Sequence, residues 1–202
     1  SESERALDLA RDCEAMNRQR RELCDAIEAE ALALLEADGP SRPAFLLLAQ
    51  NHWHHGVIGI VAARLVERFC LPVALLAGEG NGVLRASVRA PKGFAVDQAL
   101  QACSPLLERH GGHPAAGGFT VRAEHVARLQ QQLEQLACQW VGDGGGIRLV
   151  EPEALLRLQR IDRSFHAQIR RLEPFGIGHP TPLFWSSGCE VISAKLLRGG
   201  HL

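Results

Sequence analysis

Paired cysteine motifs and long hydrophobic runs are both missing from this 202-residue sequence. Its six cysteines are scattered and include no Cys-x-x-Cys pair, which argues against a zinc ribbon and against a disulfide scaffold. No apolar stretch approaches the roughly 20 residues of a membrane span, and no secretory signal precedes the first helical pattern. We therefore expect a cytoplasmic globular protein that has no membrane partner and keeps most of its thiols buried and reduced.

The net charge of −1 is small but unevenly distributed. Residues 1–38 carry 11 acidic and 5 basic side chains, so the remaining residues carry 17 basic side chains against 12 acidic ones. A mildly basic body is compatible with a polyanionic partner, although it does not require one.

Residues 2–38 are expected to form one long helix, because apolar side chains recur at helical spacing. They are Leu9, Cys13, Met16, Leu23, Ile27 and Leu34. The sequence Asp38-Gly39-Pro40 supplies a stop signal. Such a helix spans roughly 55 Å. It is either a strut between two domains or a helix packed along the sheet of its own domain.

A buried strand is predicted at residues 44–49 and an amphipathic helix at 57–69, with a polar loop between them. Loops at the carboxyl end of a buried strand commonly hold ligand-binding groups in α/β proteins. This polar loop is therefore a candidate site for ligand contact. The three histidines of this loop also allow a metal site, but one loop rarely supplies a complete ligand set, so substrate contact or helix-end hydrogen bonding is preferred.

A second buried strand is predicted at residues 72–77, followed by a glycine-rich hairpin turn at 78–82. The next strand, 83–89, alternates so that Arg85, Ser87 and Arg89 share one face. Two guanidinium groups and a hydroxyl form a credible phosphate cradle. The alternative is an exposed face whose charges prevent edge-to-edge aggregation.

A glycine-rich stretch, Gly111 to Gly118, is the most distinctive part of the sequence. It is expected to form a turn between a helix within residues 94–110, which Pro105 should break or kink, and a strand at 119–121. The amide groups of Gly111 and Gly112, together with His113, are candidate ligands for a phosphate. The alternative is a tight connection that needs glycine for steric reasons.

Beyond this stretch, a helix is predicted at residues 123–140 and a flexible linker at 142–146. Short helices are expected at 151–158 and 164–172, and a stiff proline-rich connector at 174–184 leads to strand-like sequence.

Several of these segments together resemble the RecJ family of single-strand-specific DNA exonucleases, within the DHH phosphoesterase superfamily. The matching segments lie in the family's order. They are Asn17 with Arg20-Arg21, Trp53-His54-His55-Gly56-Val57-Ile58-Gly59-Ile60, Ser87-Val88-Arg89, the Gly111-Gly112-His113 signature with its Ala-Ala-Gly tail, and Pro174-Phe175-Gly176-Ile177-Gly178-His179-Pro180.

This resemblance implies an α/β fold with a mixed β-sheet flanked by helices, the DHH-associated domain. A long connecting helix would precede it and the start of an OB-fold would follow. The expected boundaries are 1–40 for the connecting helix, 41–141 for the DHH-associated domain, 142–182 for the linker and short helices, and 183–202 for the first OB strands.

The resemblance also implies 5′→3′ hydrolysis of single-stranded DNA by two divalent ions, manganese or magnesium. The family holds these ions on an Asp-His-His motif that is absent from this sequence. We therefore expect a monomeric fragment, inactive by itself, whose partners are single-stranded DNA and the missing DHH domain. In it Gly111, Gly112 and His113 would hold a phosphate, Ser87 and Arg89 with Arg85 nearby would bind the 5′-phosphate, and Trp53 and His54 would shape the channel.

Two other functions remain open from the sequence. The chain is alternatively a nucleic-acid-binding module without chemistry. It is also compatible with part of a DHH-type oligoribonuclease or cyclic-dinucleotide phosphodiesterase, which the OB-like lead-in disfavours.

Overall fold

The computed structural model describes residues 2–37, 42–146, 151–176 and 178–194, with the side chains of residues 2–4 left aside. The helix stop predicted at residues 38–40 lies outside these ranges, as does the end of the predicted OB segment. The chain divides into two compact units, Ser1–Arg148 and Leu149–Leu202.

The first unit contains a mixed sheet, as the resemblance implies. It has five strands, one more than the sequence pattern predicts, in the order β1-β2-β3-β5-β4. Strands β1 and β2 are parallel, and the β2–β3, β3–β5 and β5–β4 pairs are antiparallel. The strands are β1 Leu46–Gln50, β2 Val73–Gly80, β3 Val83–Arg89, β4 Leu107–His113 and β5 Ala116–Arg122. Among the described strands, β1 and β4 are therefore the two edges.

Helices cover both faces of this sheet. On one face, α1 (Glu2–Ala37) packs on α2 (His55–Phe69), and α2 packs on β2 and β3. On the other face lie α3 (Val96–Ala102) and α4 (Val126–Gly142), with Leu129 and Leu133 fully buried against the sheet. The hydrophobic core is accordingly split by the sheet into two clusters.

The long helix predicted at the start of the chain is present, and its two halves differ in burial. In the second half, Cys24, Ile27, Ala31 and Leu35 are buried in the cluster that includes α2. In the first half, several apolar side chains are exposed to a similar degree, and Met16 is 69% exposed. Only the second half thus packs against its own domain among the residues that the structure describes.

The helix predicted within residues 94–110 is wrong in its second part. Helix α3 ends at Ala102, a single 3-10 turn covers Ser104–Leu106 around Pro105, and β4 begins at Leu107. The spacing of the leucines suits a helix, but pairing of this segment with β5 satisfies its backbone and outweighs that local preference.

The second unit contains a short parallel pair, β6 (Ala154–Leu155) with β7 (Phe184–Trp185), and helix α5 (Arg163–Arg170). The ring of Phe165 in α5 packs edge-on against Phe184, with centroids 5.3 Å apart. The helix predicted at 151–158 is wrong, because this segment pairs with β7 and ends in one 3-10 turn.

The cysteines are free, but the expectation that most are buried is also wrong. Cys24 and Cys103 are buried, Cys70 is half-buried, and the other three are exposed. Burial raises the pKa of the Cys103 thiol.

None of the described helices is long and apolar enough to cross a membrane.

Candidate nucleic-acid interface

Strand β3 directs its polar side chains to the face of the sheet opposite α3 and α4. Leu84, Ala86 and Val88 are buried in the cluster formed with those helices. Because side chains alternate along a strand, Arg85 and Arg89 lie on the opposite face together with Ser87, as the sequence predicts.

Strands β5 and β4 extend this face by three rows of directly opposed residues. Opposed residues on neighbouring strands project from the same side of a sheet. We call them the inner row (Arg89, Ala116, His113), the central row (Ser87, Gly118, Gly111) and the outer row (Arg85, Thr120, Arg109). We refer to the three rows together as the open face. Polar and basic side chains flank small residues at its centre.

Helix α2 reaches the edge of the open face at Gly59. A methyl group at Gly59 would lie 3.0 Å from Arg89 Nη2 and 3.4 Å from Ser87 Oγ. Arg89 also donates a hydrogen bond from Nη1 to Val88 O at 2.8 Å. The missing side chain at Gly59 therefore lets the helix pack directly against the two β3 residues that the sequence assigns to phosphate binding.

The Gly-Gly-His stretch is part of a strand and not the predicted turn. Gly111, Gly112 and His113 end β4, and only Pro114 and Ala115 form the turn before β5. In a strand, successive N–H groups point in opposite directions, so the expected convergence of adjacent amides on one anion does not occur. Since β4 is a sheet edge, its alternate N–H groups instead face outward.

The two glycines of this stretch are needed for different reasons. A methyl group at Gly112 would lie 2.5 Å from Ala116 O and from Gly117 Cα on β5. A methyl group at Gly111 would meet no described atom within 4 Å. Steric need therefore explains Gly112, whereas Gly111 keeps the central row of the open face free of a side chain. His113 is exposed beside it.

The residues of the histidine-containing loop have separate partners. Trp53 is only 3% exposed and packs in the α1–α2 cluster, so its ring lies in the core. His54 is exposed and caps α2, accepting a hydrogen bond from Gly56 N at Nδ1. It lines a groove of about 430 Å³ against α1.

The other two histidines of the loop have partners of their own. His52 Nε2 lies 3.0 Å from Glu30 Oε2, and His55 Nε2 lies 3.0 Å from Gly78 O.

Glu30 of α1 fixes this loop through its carboxylate. The Trp53 indole donates a hydrogen bond to Glu30 Oε2 at 2.8 Å. That hydrogen bond is the main cause that lowers the pKa of Glu30 from its ordinary 4.5. Burial raises this pKa, and the nearby His52 lowers it further. Sequence reasoning missed Glu30, because nothing in the helical pattern distinguishes it from the other acidic residues of α1.

The Glu30 contact predicts a pH-dependent contribution to stability. A lowered pKa in the fold means that the ionised carboxylate stabilises the native state above pH 4.5 and that this stabilisation is lost as pH falls through the folded pKa. We expect Glu30→Gln to lower the free energy of unfolding by about 1 kcal/mol at neutral pH, a value reduced for the partial exposure of the carboxylate. Urea unfolding from pH 7 to pH 3 measures this difference.

The exposed Glu14→Gln, on the same helix, is the matched control for that experiment. It removes an exposed carboxylate from the same helix and should change the free energy of unfolding little at neutral pH. A Glu30→Gln difference that stays constant down to pH 3 would contradict the assignment of the effect to the carboxylate.

The groove over the outer and central rows has a volume of about 630 Å³, and its basic lining residues are Arg85, Arg109 and His110. Two acidic residues line it, and both already face arginines. Glu79 lies 3.5 Å from Arg85, and Glu108 lies 3.0 Å from Arg122. The sequence pattern predicts a helix for the segment that contains Arg109. Because this segment is a strand instead, Arg109 lines the groove.

The donor groups of the described residues do not form a two-metal centre. Within residues 2–37, 42–146, 151–176 and 178–194, the structure contains no group of three or more His, Cys, Asp or Glu side chains that could hold a metal ion. The open face is suited to binding anions and lacks the carboxylates that divalent cations prefer.

Comparison with known domain models gives two matches that follow the two units. Residues 43–139 match the DHHA1 domain, and residues 153–202 match the RecJ OB domain. The first match contains all three rows of the open face.

Individual relatives and a solved structure agree with these matches. The chain is 32% identical to the single-stranded-DNA-specific exonuclease RecJ of Bacillus subtilis (strain 168), over 88% of this chain and 22% of that protein. It is 31% identical to RecJ of Escherichia coli (strain K12), over 96% of this chain and 35% of that protein. The crystal structure of RecJ in complex with Mn²⁺ from Thermus thermophilus aligns with a TM-score of 0.68 and 29% identity, covering 84% of this chain and 24% of that one.

The chain thus spans between about a fifth and about a third of the length of these relatives. The two domain matches, the order of the motifs and the shared fold show that this chain belongs to the RecJ family, of which it carries a DHHA1 domain and a RecJ OB segment.

Proposed function

We propose that this chain is the substrate-binding part of a 5′→3′ single-stranded-DNA exonuclease, and that its open face holds the sugar-phosphate backbone. The observation that carries the proposal is the open face itself. The inner and outer rows carry basic side chains at both ends, and the central row between them consists of Ser87 and two glycines. Small residues allow a backbone to approach closely, and the flanking arginines supply charge-assisted hydrogen bonds.

The inner end of the open face is the proposed site for the terminal 5′-phosphate. Arg89 faces no carboxylate within 4 Å in the described part of the chain, so its guanidinium is available to an anion. Ser87 and His113 offer further hydrogen bonds within two rows of it. The packing of α2 against Arg89 and Ser87 limits their freedom, which lowers the entropic cost of binding.

Trp53 and His54 support this site from the loop that precedes α2. The buried indole of Trp53 is proposed to hold the loop in place through Glu30, and the exposed His54 is proposed to line the path of the DNA. Trp53 thus acts in this proposal through position and not through direct contact.

Hydrolysis is proposed to depend on two divalent ions held by a DHH domain outside this chain. RecJ structures from Thermus thermophilus are in complex with Mg²⁺ or Mn²⁺, and this chain has no Asp-His-His motif. We therefore propose that the chain alone binds DNA without cleaving it.

Arg89→Ala tests the proposed function. Fluorescence anisotropy compares the binding of the 202-residue chain to labelled oligothymidylates that carry either a 5′-phosphate or a 5′-hydroxyl group. Loss of hydrogen bonds to a charged group is worth about 1.5–3 kcal/mol, so affinity for the phosphorylated strand should fall by roughly 10- to 100-fold. Affinity for the hydroxyl strand should change far less.

Arg128→Ala is the matched control, since Arg128 is an exposed arginine of α4 on the other side of the sheet. It removes the same charge and should affect both strands equally and weakly. Equal losses for both strands in Arg89→Ala would overturn the 5′-phosphate role and favour a binding module that does not recognise ends. Manganese-dependent cleavage by the purified chain would contradict the placement of the metals elsewhere.

A further inference from the structure

The outer row contains a basic residue that the sequence motifs do not include. Arg109 lies opposite Thr120 on β5, and Thr120 lies opposite Arg85 on β3. The side chains of all three line the same groove. Along β3, the outer row lies two residues, or roughly 7 Å, from the central row. It lies four residues, or roughly 14 Å, from Arg89.

A β-bulge places Arg109 on the open face. The register of β4 against β5 shifts between Leu107, which pairs with Val121, and Arg109, which pairs with Thr120. Leu107 packs against the core cluster on the other side of the sheet. In a regular strand these two residues would share one face, so the extra residue Glu108 directs Arg109 away from the core.

The charges of the outer row are available to a ligand. Arg109 is exposed and lies within 4 Å of no carboxylate in the described residues. Arg85 faces Glu79 at 3.5 Å, but both side chains are substantially exposed, and such a pair contributes little free energy. Glu108 is engaged by Arg122 at 3.0 Å. An anion between Arg85 and Arg109 would therefore meet two guanidinium groups and the Thr120 hydroxyl.

We propose that Arg109, Thr120 and Arg85 form a second phosphate subsite, which binds an internal phosphodiester of the same strand whose 5′-phosphate lies at Arg89. This inference rests on the proposed function and adds the direction of the strand, from the inner row across the central row to the outer row. Glycine in the central row leaves room for the backbone between the two subsites.

Matched ligands with one or more phosphates test this subsite. NMR titration of the 202-residue chain compares thymidine 5′-monophosphate with 5′-phosphorylated tri-thymidylate. Arg109→Ala should weaken binding of the trinucleotide by about tenfold, the loss of one charge-assisted contact, and leave the mononucleotide unchanged. Arg89→Ala should weaken binding of both. The salt dependence of trinucleotide binding should also decrease in Arg109→Ala, by about 0.7 in the logarithmic slope.

Controls separate this inference from the proposed function. Arg109→Lys keeps the charge and should recover part of the affinity, whereas Arg128→Ala should alter neither ligand. Equal weakening of both ligands by Arg109→Ala, or no effect on the trinucleotide, would overturn the second subsite while the Arg89 result still supports the first. No binding of either ligand to the unchanged chain would overturn both proposals.

Discussion

Gly112→Ala is expected to destabilise the DHHA1 domain by about 3 kcal/mol, the upper part of the range for an overpacked site. The added methyl group would lie 2.5 Å from backbone atoms of Ala116 and Gly117. Backbone on a paired strand cannot rotate away as a side chain does, so β4 and β5 must separate to accept it. Denaturant unfolding of the purified chain measures the loss.

Gly111→Ala is the matched comparison for Gly112→Ala, because it adds the same methyl group to the neighbouring residue. Its methyl group would meet no described atom within 4 Å, and Gly111 has no positive φ. Alanine should therefore keep the stability or raise it by about 0.4–1 kcal/mol through the unfolded state. The methyl group would nonetheless project into the central row, and we expect DNA affinity to fall by about tenfold, equivalent to one lost contact with a charged group.

The two glycine variants thus separate folding from binding within one dipeptide. If Gly111→Ala bound DNA as tightly as the unchanged chain, the nucleic-acid backbone would not cross the central row. If Gly112→Ala were fully stable, the close approach of β4 and β5 would not constrain that position.

Glu134→Ala is expected to cost about 2–5 kcal/mol of stability, because it leaves two partly buried backbone donors unpaired. The Glu134 carboxylate accepts hydrogen bonds from Ala44 N and Phe45 N, each at 2.8 Å. These contacts fasten the segment before the edge strand β1 to α4. Phe45 is also buried in the core cluster, so its packing depends on the same anchor.

Two further variants define the contribution of the Glu134 carboxylate. Glu134→Gln keeps one acceptor oxygen and should lose about half as much. Cys138→Ala removes only a thiol that donates to Glu134 Oε1 at 3.4 Å and should have little effect. That bond also raises the pKa of Cys138. Thermal or urea unfolding provides the measurement, and a Glu134→Ala chain as stable as Cys138→Ala would contradict the anchor.

The sequence predicts the parts of this fold that depend on local pattern. The long helix predicted from the spacing of apolar residues in α1 and the shared face of Arg85, Ser87 and Arg89 on β3 are both confirmed. The segment before Gly111 shows the limit of that approach. Leu106 and Leu107 continue the helical spacing of α3, but the pairing of this segment with β5 is a contact between distant residues that periodicity does not register.

The same limit applies to the site. Arg109 reaches the open face through a bulge at Glu108, and a bulge has no clear signature in the sequence. The family motif includes both Gly59 and Trp53. It does not show that Gly59 lets α2 pack against β3, or that the ring of Trp53 is buried. The separate duties of Gly111 and Gly112 likewise depend on which strand lies beside them. Motifs thus identify the residues, and tertiary packing assigns their roles.

The tip of the β4–β5 hairpin is fastened to two other segments. Pro114 O accepts a hydrogen bond from Val96 N at the start of α3, and Ala115 O accepts one from Ala90 N just after β3. The backbone that carries His113 is therefore rigid before any ligand arrives. For the proposed nucleotide ligand, the position of the His113 backbone is thus set in advance, and binding energy would not be consumed in ordering a flexible loop.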